Sequence, residues 1–200
     1  MIRLLCATGN PGKLREFRLA AGVAPVEIDL LAGFRQIEPC VEDGCTFEEN
    51  AEIKALHYGR HTPGLLFADD SGLEVDALGG APGVYSARFS LLHPAVEDPP
   101  LPVDEANNRL LLEKLRGVEN RAARFVCAVA LAEGGKLRGV WRGAVEGVVI
   151  DEPRGLGGFG YDPLFYCPQV GCTFGEAAEE QKFAVSHRGQ ALRAMIAALG

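Results

Sequence analysis

Residues 122–132, AARFVCAVALA, run almost without a polar interruption and include β-branched members. The run is far shorter than the roughly 20 apolar residues a membrane helix needs. It reads instead as a strand buried on both faces, which belongs in the middle of a sheet covered on either side. Gly134-Gly135 is a hairpin signal, and residues 137–150 follow as a long strand.

The rest of the chain interleaves strands and helices around that centre. Residues 2–7 form a short apolar strand ending in the turn-rich Thr8-Gly9-Asn10-Pro11-Gly12-Lys13. Residues 14–21 continue as a helix stopped near Gly22, and 26–31 as a second strand. Thr46-Phe47-Glu48-Glu49 has the form of a capping box opening a helix that reaches His57 or beyond. An apolar strand, 64–68, runs into Asp69-Asp70-Ser71-Gly72, and 73–77 alternates weakly as a further strand. Residues 91–102 hold four prolines and read as a surface excursion; Asp104 is a cap for a helix through Leu115, with Leu110, Leu111 and Leu115 turned inward. Residues 176–183 and a segment capped by Ser186 and running to Leu199 read as the last two helices. The fold class is therefore α/β with a mixed sheet. Two hundred residues suit one domain, or two lobes sharing one core, and no repeat or linker divides residues 1–200.

Composition closes off several functions. The net charge of −7 argues against binding a nucleic acid polymer, which needs a broad basic surface, but leaves room for a small anion held by a few converging cations. The start shows no signal-peptide hydrophobic region and nothing spans a membrane, so a cytoplasmic protein is expected. Glycine, 25 of 200 residues, belongs in tight turns and where backbone approaches a ligand. Cys6 and Cys127 sit in apolar strands. The pairs Cys40/Cys45 and Cys167/Cys172 have four intervening residues rather than the two of zinc ribbons and redox motifs. Reduced thiols are expected.

Four groups of residues carry chemistry. The strand–turn–helix at 8–13 has the form of an anion site, with loop amides, a helix N-terminus and the Lys13 ammonium; equally it could be a plain connection, and it is not a Walker A loop. Asp69-Asp70 ends an apolar strand. In extended backbone the two carboxylates point to opposite sides, so one can serve Mg²⁺ or a water while the other holds structure; an Asp-rich turn explains them too. Gly157-Gly158-Phe159-Gly160-Tyr161-Asp162-Pro163 offers aromatic faces for a base and Asp162 as acceptor, or else two rings for the core. Lys182 stands with Ser186-His187-Arg188, where Ser186 caps a helix and His187 and Arg188 place cations in its first turn, where the dipole disfavours them; that suggests a ligand, or simply two exposed polar residues.

Taken together these groups resemble, almost from end to end, the inosine triphosphate pyrophosphatase family. The matching segments are ATGNPGKLREF at 7–17, DGCTFEENAEIKA at 43–55, FADDSGLEVDALGGAPGVYSARFS at 67–90, GGFGYDPLF at 157–165, and Glu180-Gln181-Lys182 with SHRGQAL at 186–192. The resemblance implies an elongated mixed β-sheet flanked by helices, with two lobes around a central nucleotide-binding cleft. It implies hydrolysis of dITP, ITP and XTP to monophosphate and pyrophosphate, with Mg²⁺ as cofactor, a small-molecule nucleotide as substrate and a homodimeric assembly. By matching position, Thr8, Gly9, Asn10, Pro11, Gly12 and Lys13 would bind the triphosphate, with Lys13 also catalytic. Asp70 would be the metal-linked proton acceptor and Ser71 would touch substrate. Phe159, Gly160, Tyr161, Asp162, Lys182, His187 and Arg188 would bind the nucleotide. Many relatives carry an acid at the position of Val41, so the second metal-linked carboxylate falls to Glu42, with Asp43 or Glu38 as substitutes.

Overall fold

A computed structural model describes residues 1–93 and 100–200. Part of the proline-rich stretch at 91–102 thus lies outside the described residues. Among the described residues seven strands, β1 (Ile2–Cys6), β2 (Val26–Leu30), β3 (Leu65–Val75), β4 (Ala122–Glu133), β5 (Lys136–Val149), β6 (Phe165–Cys167) and β7 (Cys172–Thr173), form one sheet in the order β2-β1-β3-β4-β5-β6-β7. β1 pairs in parallel with both β2 and β3. β5, β6 and β7 pair antiparallel. The sheet is mixed and flanked by helices, as the interleaved pattern implies.

The chain divides into two compact units. The first comprises Met1–Ser71, Val126–Ala144 and Phe183–Gly200. Its core joins Leu4 and Cys6 of β1, Phe67 of β3 and Val129 of β4 (Ala122–Glu133) to Leu14 and Phe17 of α1 (Pro11–Ala21) and to Leu192 and Met195 of α5 (His187–Ala197). Phe17 meets Phe67 edge to face, with ring centroids 5.1 Å apart. Gly143 of β5 lets α5 come this close: a Cβ there would lie 2.2 Å from the His187 carbonyl oxygen.

The second unit comprises Gly72–Phe125 and Val145–Lys182. Phe125, Phe165 and Phe174 pack together in it, with Phe125 and Phe165 centroids 4.5 Å apart. Leu111 of α3 (Val103–Lys114) and Leu115 are fully buried, whereas Leu110 is only partly so.

Local signals place two helix starts, at Thr46 and Ser186, but α1 begins at Pro11, inside the turn-rich segment and three residues before the start expected at residue 14. Asn10 caps α1, its Oδ1 accepting from Gly12 N at 2.8 Å and Lys13 N at 3.2 Å, with Pro11 in the first turn. Thr46 caps α2 (Phe47–Gly59), accepting from Glu49 N; the Glu49 carboxylate reaches back one residue further than a capping box, to Cys45 N. Ser186 caps α5. The structure corrects three further boundaries. Asp104 does not cap α3: the N-cap is Pro102, and Asp104, inside the first turn, accepts from Gly160 N at 2.9 Å. α4 (Glu179–Val185) starts three residues after Glu176, which instead accepts from Thr173. Residues 69–72 are no break between two strands, since β3 runs unbroken through them. All six cysteines are free, and among the described residues no helix is long and apolar enough to cross a membrane.

Candidate active site

β3 carries Asp69, Asp70 and Ser71 into the interior, and the strand's two-residue period decides what each one meets. Asp69 and Ser71 share a side, and Ser71 Oγ donates to Asp69 Oδ2 at 3.1 Å. On that side the Lys13 ammonium lies 2.8 Å from Asp69 Oδ2, and the Arg188 Nε lies 4.0 Å from it. Arg188 donates to Ser71 Oγ at 2.9 Å and to Glu16 Oε2 at 2.7 Å. The first unit thus contains a continuous polar chain from Glu16 through Arg188, Ser71 and Asp69 to Lys13. Glu16, Asp69 and Arg188 are buried away from water, so these three must find their partners inside the protein.

Asp70 faces the other way. Lys54 of α2 donates to Asp70 Oδ1 at 2.8 Å and to Glu42 Oε2 at 3.0 Å, and Asn50 donates to Asp70 Oδ2 at 3.3 Å. Asn50 and Lys54 are one helical turn apart and so present one face. Glu42, exposed like Val41 and Asp43, is the acid that Lys54 ties to Asp70.

The two neighbouring carboxyls differ in electrostatics. Burial alone would push Asp69 up, but Lys13, Arg188 and Lys54 outweigh it and hold the carboxyl below the ordinary aspartate range. For Asp70 burial wins over Lys54, and the carboxyl is raised. Burial pushes the Lys54 ammonium down, yet Asp70, Asp69 and Glu42 together raise it, so it stays charged. One strand therefore carries a firmly ionised aspartate beside a more basic one.

The start of α1 is partly self-satisfied, because Asn10 takes the Gly12 and Lys13 amides. Attraction for an anion there rests on the Lys13 charge and the helix dipole. A cavity of about 330 Å³ opens beside this turn, lined by Thr8, Gly9, Asn10, Pro11, Phe34 and Arg35.

In the second unit, Lys182 donates to Asp162 Oδ2 at 2.6 Å, and both are buried. The same Asp162 oxygen accepts from Phe159 N at 2.8 Å. The Lys182 ammonium sits 5.5 Å from the ring centroids of both Phe159 and Phe174, a cation–π distance. Gly158 makes this possible: its φ is +73°, and a Cβ would lie 2.1 Å from Asp162 Oδ2. The two loop aromatics part ways. Tyr161 is core, its hydroxyl donating to Ser86 O at 3.0 Å, whereas Phe159 is only partly buried. His187 and Arg188 are buried in the first turn of α5, so neither is an exposed polar residue.

Sequence reading passed over Glu16, Asn50 and Lys54. Lys54 and Glu16 leave a faint trace. Lys54 lies on a face with Ala51 and Ala55, and Glu16 lies between Leu14 and Phe17, in both cases a polar residue among positions that bury.

The Ham1 family model matches residues 4–198. A dITP/XTP pyrophosphatase of Acidobacterium capsulatum is 49% identical over 199 residues, covering 99% of this chain and 98% of that one. A solved HAM1 protein from Coxiella burnetii superimposes with a TM-score of 0.83 at 35% identity, covering 100% of this chain and 98% of that one. A nucleoside-triphosphatase / dITP/XTP pyrophosphatase from Mycobacterium abscessus gives 0.72 at 41% identity, covering 97% and 98%.

Proposed function

This chain belongs to the Ham1 family, and from that premise we propose that it hydrolyses dITP, ITP and XTP to the nucleoside monophosphate and pyrophosphate. The observation that carries the chemistry is the placement of the two carboxyls on β3: Asp69 is engaged by Lys13 and Ser71, whereas Asp70 faces the other way, toward Asn50 and Lys54, and burial raises it. A raised carboxyl is the better proton acceptor, so Asp70 takes the proton of the attacking water. Water oxygen bonds to the α-phosphorus, the bond to the bridging oxygen breaks, and pyrophosphate leaves. Asp69 stays ionised and anchors Lys13 and Ser71. Lys13 adds positive charge where the leaving group develops negative charge.

The donor set suits Mg²⁺. Asp70 and Glu42 converge on the Lys54 ammonium and are hard oxygen ligands. No three His, Cys, Asp or Glu residues converge as a metal group among the described residues. One or two carboxylates completed by phosphate oxygens and water is how Mg²⁺ usually binds. When bound, it supplies charge neutralisation on the phosphates. Lys54 donates to both carboxylates and holds them near one another.

By the family resemblance, the residues proposed for the nucleotide are Phe159, which offers a flat face, with Gly160, Tyr161, Asp162 and Lys182 in the second unit, and His187 and Arg188 in the first. Lys and Arg only donate. Hypoxanthine and xanthine present a 6-keto acceptor to such N–H groups, whereas adenine presents a 6-amino donor, which an ammonium or guanidinium cannot accept. The assembly we infer is a homodimer, acting in the cytoplasm on the free nucleotide pool. The test is product analysis on a panel of nucleoside triphosphates with and without Mg²⁺. Pyrophosphate from dITP, ITP and XTP, abolished by chelation, is expected. Orthophosphate with a diphosphate product, or equal rates on ATP and ITP, refutes the reading.

A further inference from the structure

The two cysteine pairs with four intervening residues differ in what the backbone does with them. Cys45 immediately precedes the cap of α2. Cys167 ends β6 and Cys172 begins β7, and the antiparallel register sets these two directly opposite one another. Opposed residues project from the same face of the pleat, with Cα atoms about 4.5 or 5.5 Å apart according to pair type. A disulfide needs about 4.4–6.8 Å, so both pair types already satisfy it. The register is pinned on both sides. Val170 N and Gly171 N donate to Cys167 O at 3.1 and 2.9 Å, and Phe174 N donates to Phe165 O at 3.0 Å. Access is unequal: Cys167 is fully buried, Cys172 only partly.

We propose that Cys167 and Cys172 form a modification site, closing to a reversible intramolecular disulfide when the protein meets a peroxide. The Cys172 thiolate attacks one peroxide oxygen, the O–O bond breaks, and one water leaves with Cys172 as the sulfenic acid. The Cys167 sulfur then attacks the Cys172 sulfur; the S–O bond breaks, and the departing hydroxide takes the Cys167 proton and leaves as the second water. Two thiols give up two electrons and two hydrogens, and one hydrogen peroxide becomes two waters. A dithiol reductant reverses the step by exchange. The bond would lock the hairpin that leads directly into Phe174 and Gly175. Phe174 covers Lys182, and Gly175 N donates to Asp162 O at 3.0 Å. The inference stands on the hairpin alone and does not require the proposed hydrolysis.

The experiment oxidises the reduced protein with hydrogen peroxide, alkylates the remaining thiols, and maps the digest by mass spectrometry. A Cys167–Cys172 linkage with the other four cysteines alkylated is expected, together with an upward shift of the thermal midpoint that dithiothreitol reverses. Cys172→Ser should abolish both the linkage and the shift. Cys167→Ser should arrest at a Cys172 sulfenic acid that dimedone traps. Linkage of any other pair, an unchanged Cys172 thiol, or over-oxidation of Cys172 beside an intact Cys167 thiol overturns the proposal.

Discussion

Neutralising the two adjacent aspartates one at a time separates chemistry from stability. In Asp70→Asn the lost charge is one that burial already disfavours. Lys54 keeps Glu42 at 3.0 Å, and the new amide oxygen still offers Lys54 an acceptor. The expected stability change is within about 1 kcal/mol, or about 2–4 °C in Tm for a chain of this size. Losing the proton acceptor costs about 10²–10⁴ in kcat, which is about 3–5 kcal/mol of barrier. Asp69→Asn should do the opposite. Its carboxylate is buried, bonds the Lys13 ammonium at 2.8 Å and accepts from Ser71. Removing it leaves Lys13 and Arg188 without that charge, costing about 2–3 kcal/mol, below the usual loss for a broken buried pair because Lys13 is partly exposed. That is about 4–12 °C. Pyrophosphate release from dITP and thermal melts of the same two preparations decide the matter. An active Asp70→Asn beside an inactive, thermally normal Asp69→Asn would invert the assignment. A larger fall in Tm for Asp70→Asn than for Asp69→Asn would refute the electrostatic reasoning.

The same contrast predicts pH dependence. Asp69, held low, contributes stability that is present above the ordinary carboxyl value of about 3.9 and is lost as pH falls through its lower folded value. Asp70, raised, contributes stability that is complete below about 3.9 and is lost as pH rises through its higher folded value. Urea midpoints should therefore fall less steeply in acid for Asp69→Asn, and lose less on the rise from about pH 4 for Asp70→Asn; curves parallel to wild type contradict this. Lys182→Ala and Arg188→Ala should each cut kcat/KM most for ITP and narrow its advantage over ATP, because the donor–donor mismatch with adenine goes with the donor. A uniform loss across nucleotides would move the residue concerned to phosphate binding. Light scattering should give twice the 21.4 kDa chain mass, and a value near one chain at micromolar concentration refutes the homodimer.

What the amino-acid sequence determines by itself is local. Asn10, Thr46 and Ser186 cap helices through bonds to amides two or three residues on, so a short window contains the whole cause. The apolar run of β4 predicts its own burial, and strict alternation along extended backbone already sends Asp69 and Asp70 to opposite sides. The same windows mislead where a distant partner decides. Asp69-Asp70-Ser71-Gly72 reads as a turn, because acids and glycine are poor strand formers. β3 nevertheless passes straight through, since cations from three separate helices meet its carboxylates. Asp104 has the chemistry of a cap, but its carboxylate goes to Gly160, a loop residue far along the chain. The sequence shows Glu16 only as an acid on an apolar face. It gains a role because strand order and the packing of α1 against α5 bring Arg188, 172 positions away, within 2.7 Å. Ion pairs of that kind have no period and no spacing to read: their partners become neighbours only after burial of the apolar surfaces has fixed where each element lies, and only then does burial give the pairing its strength.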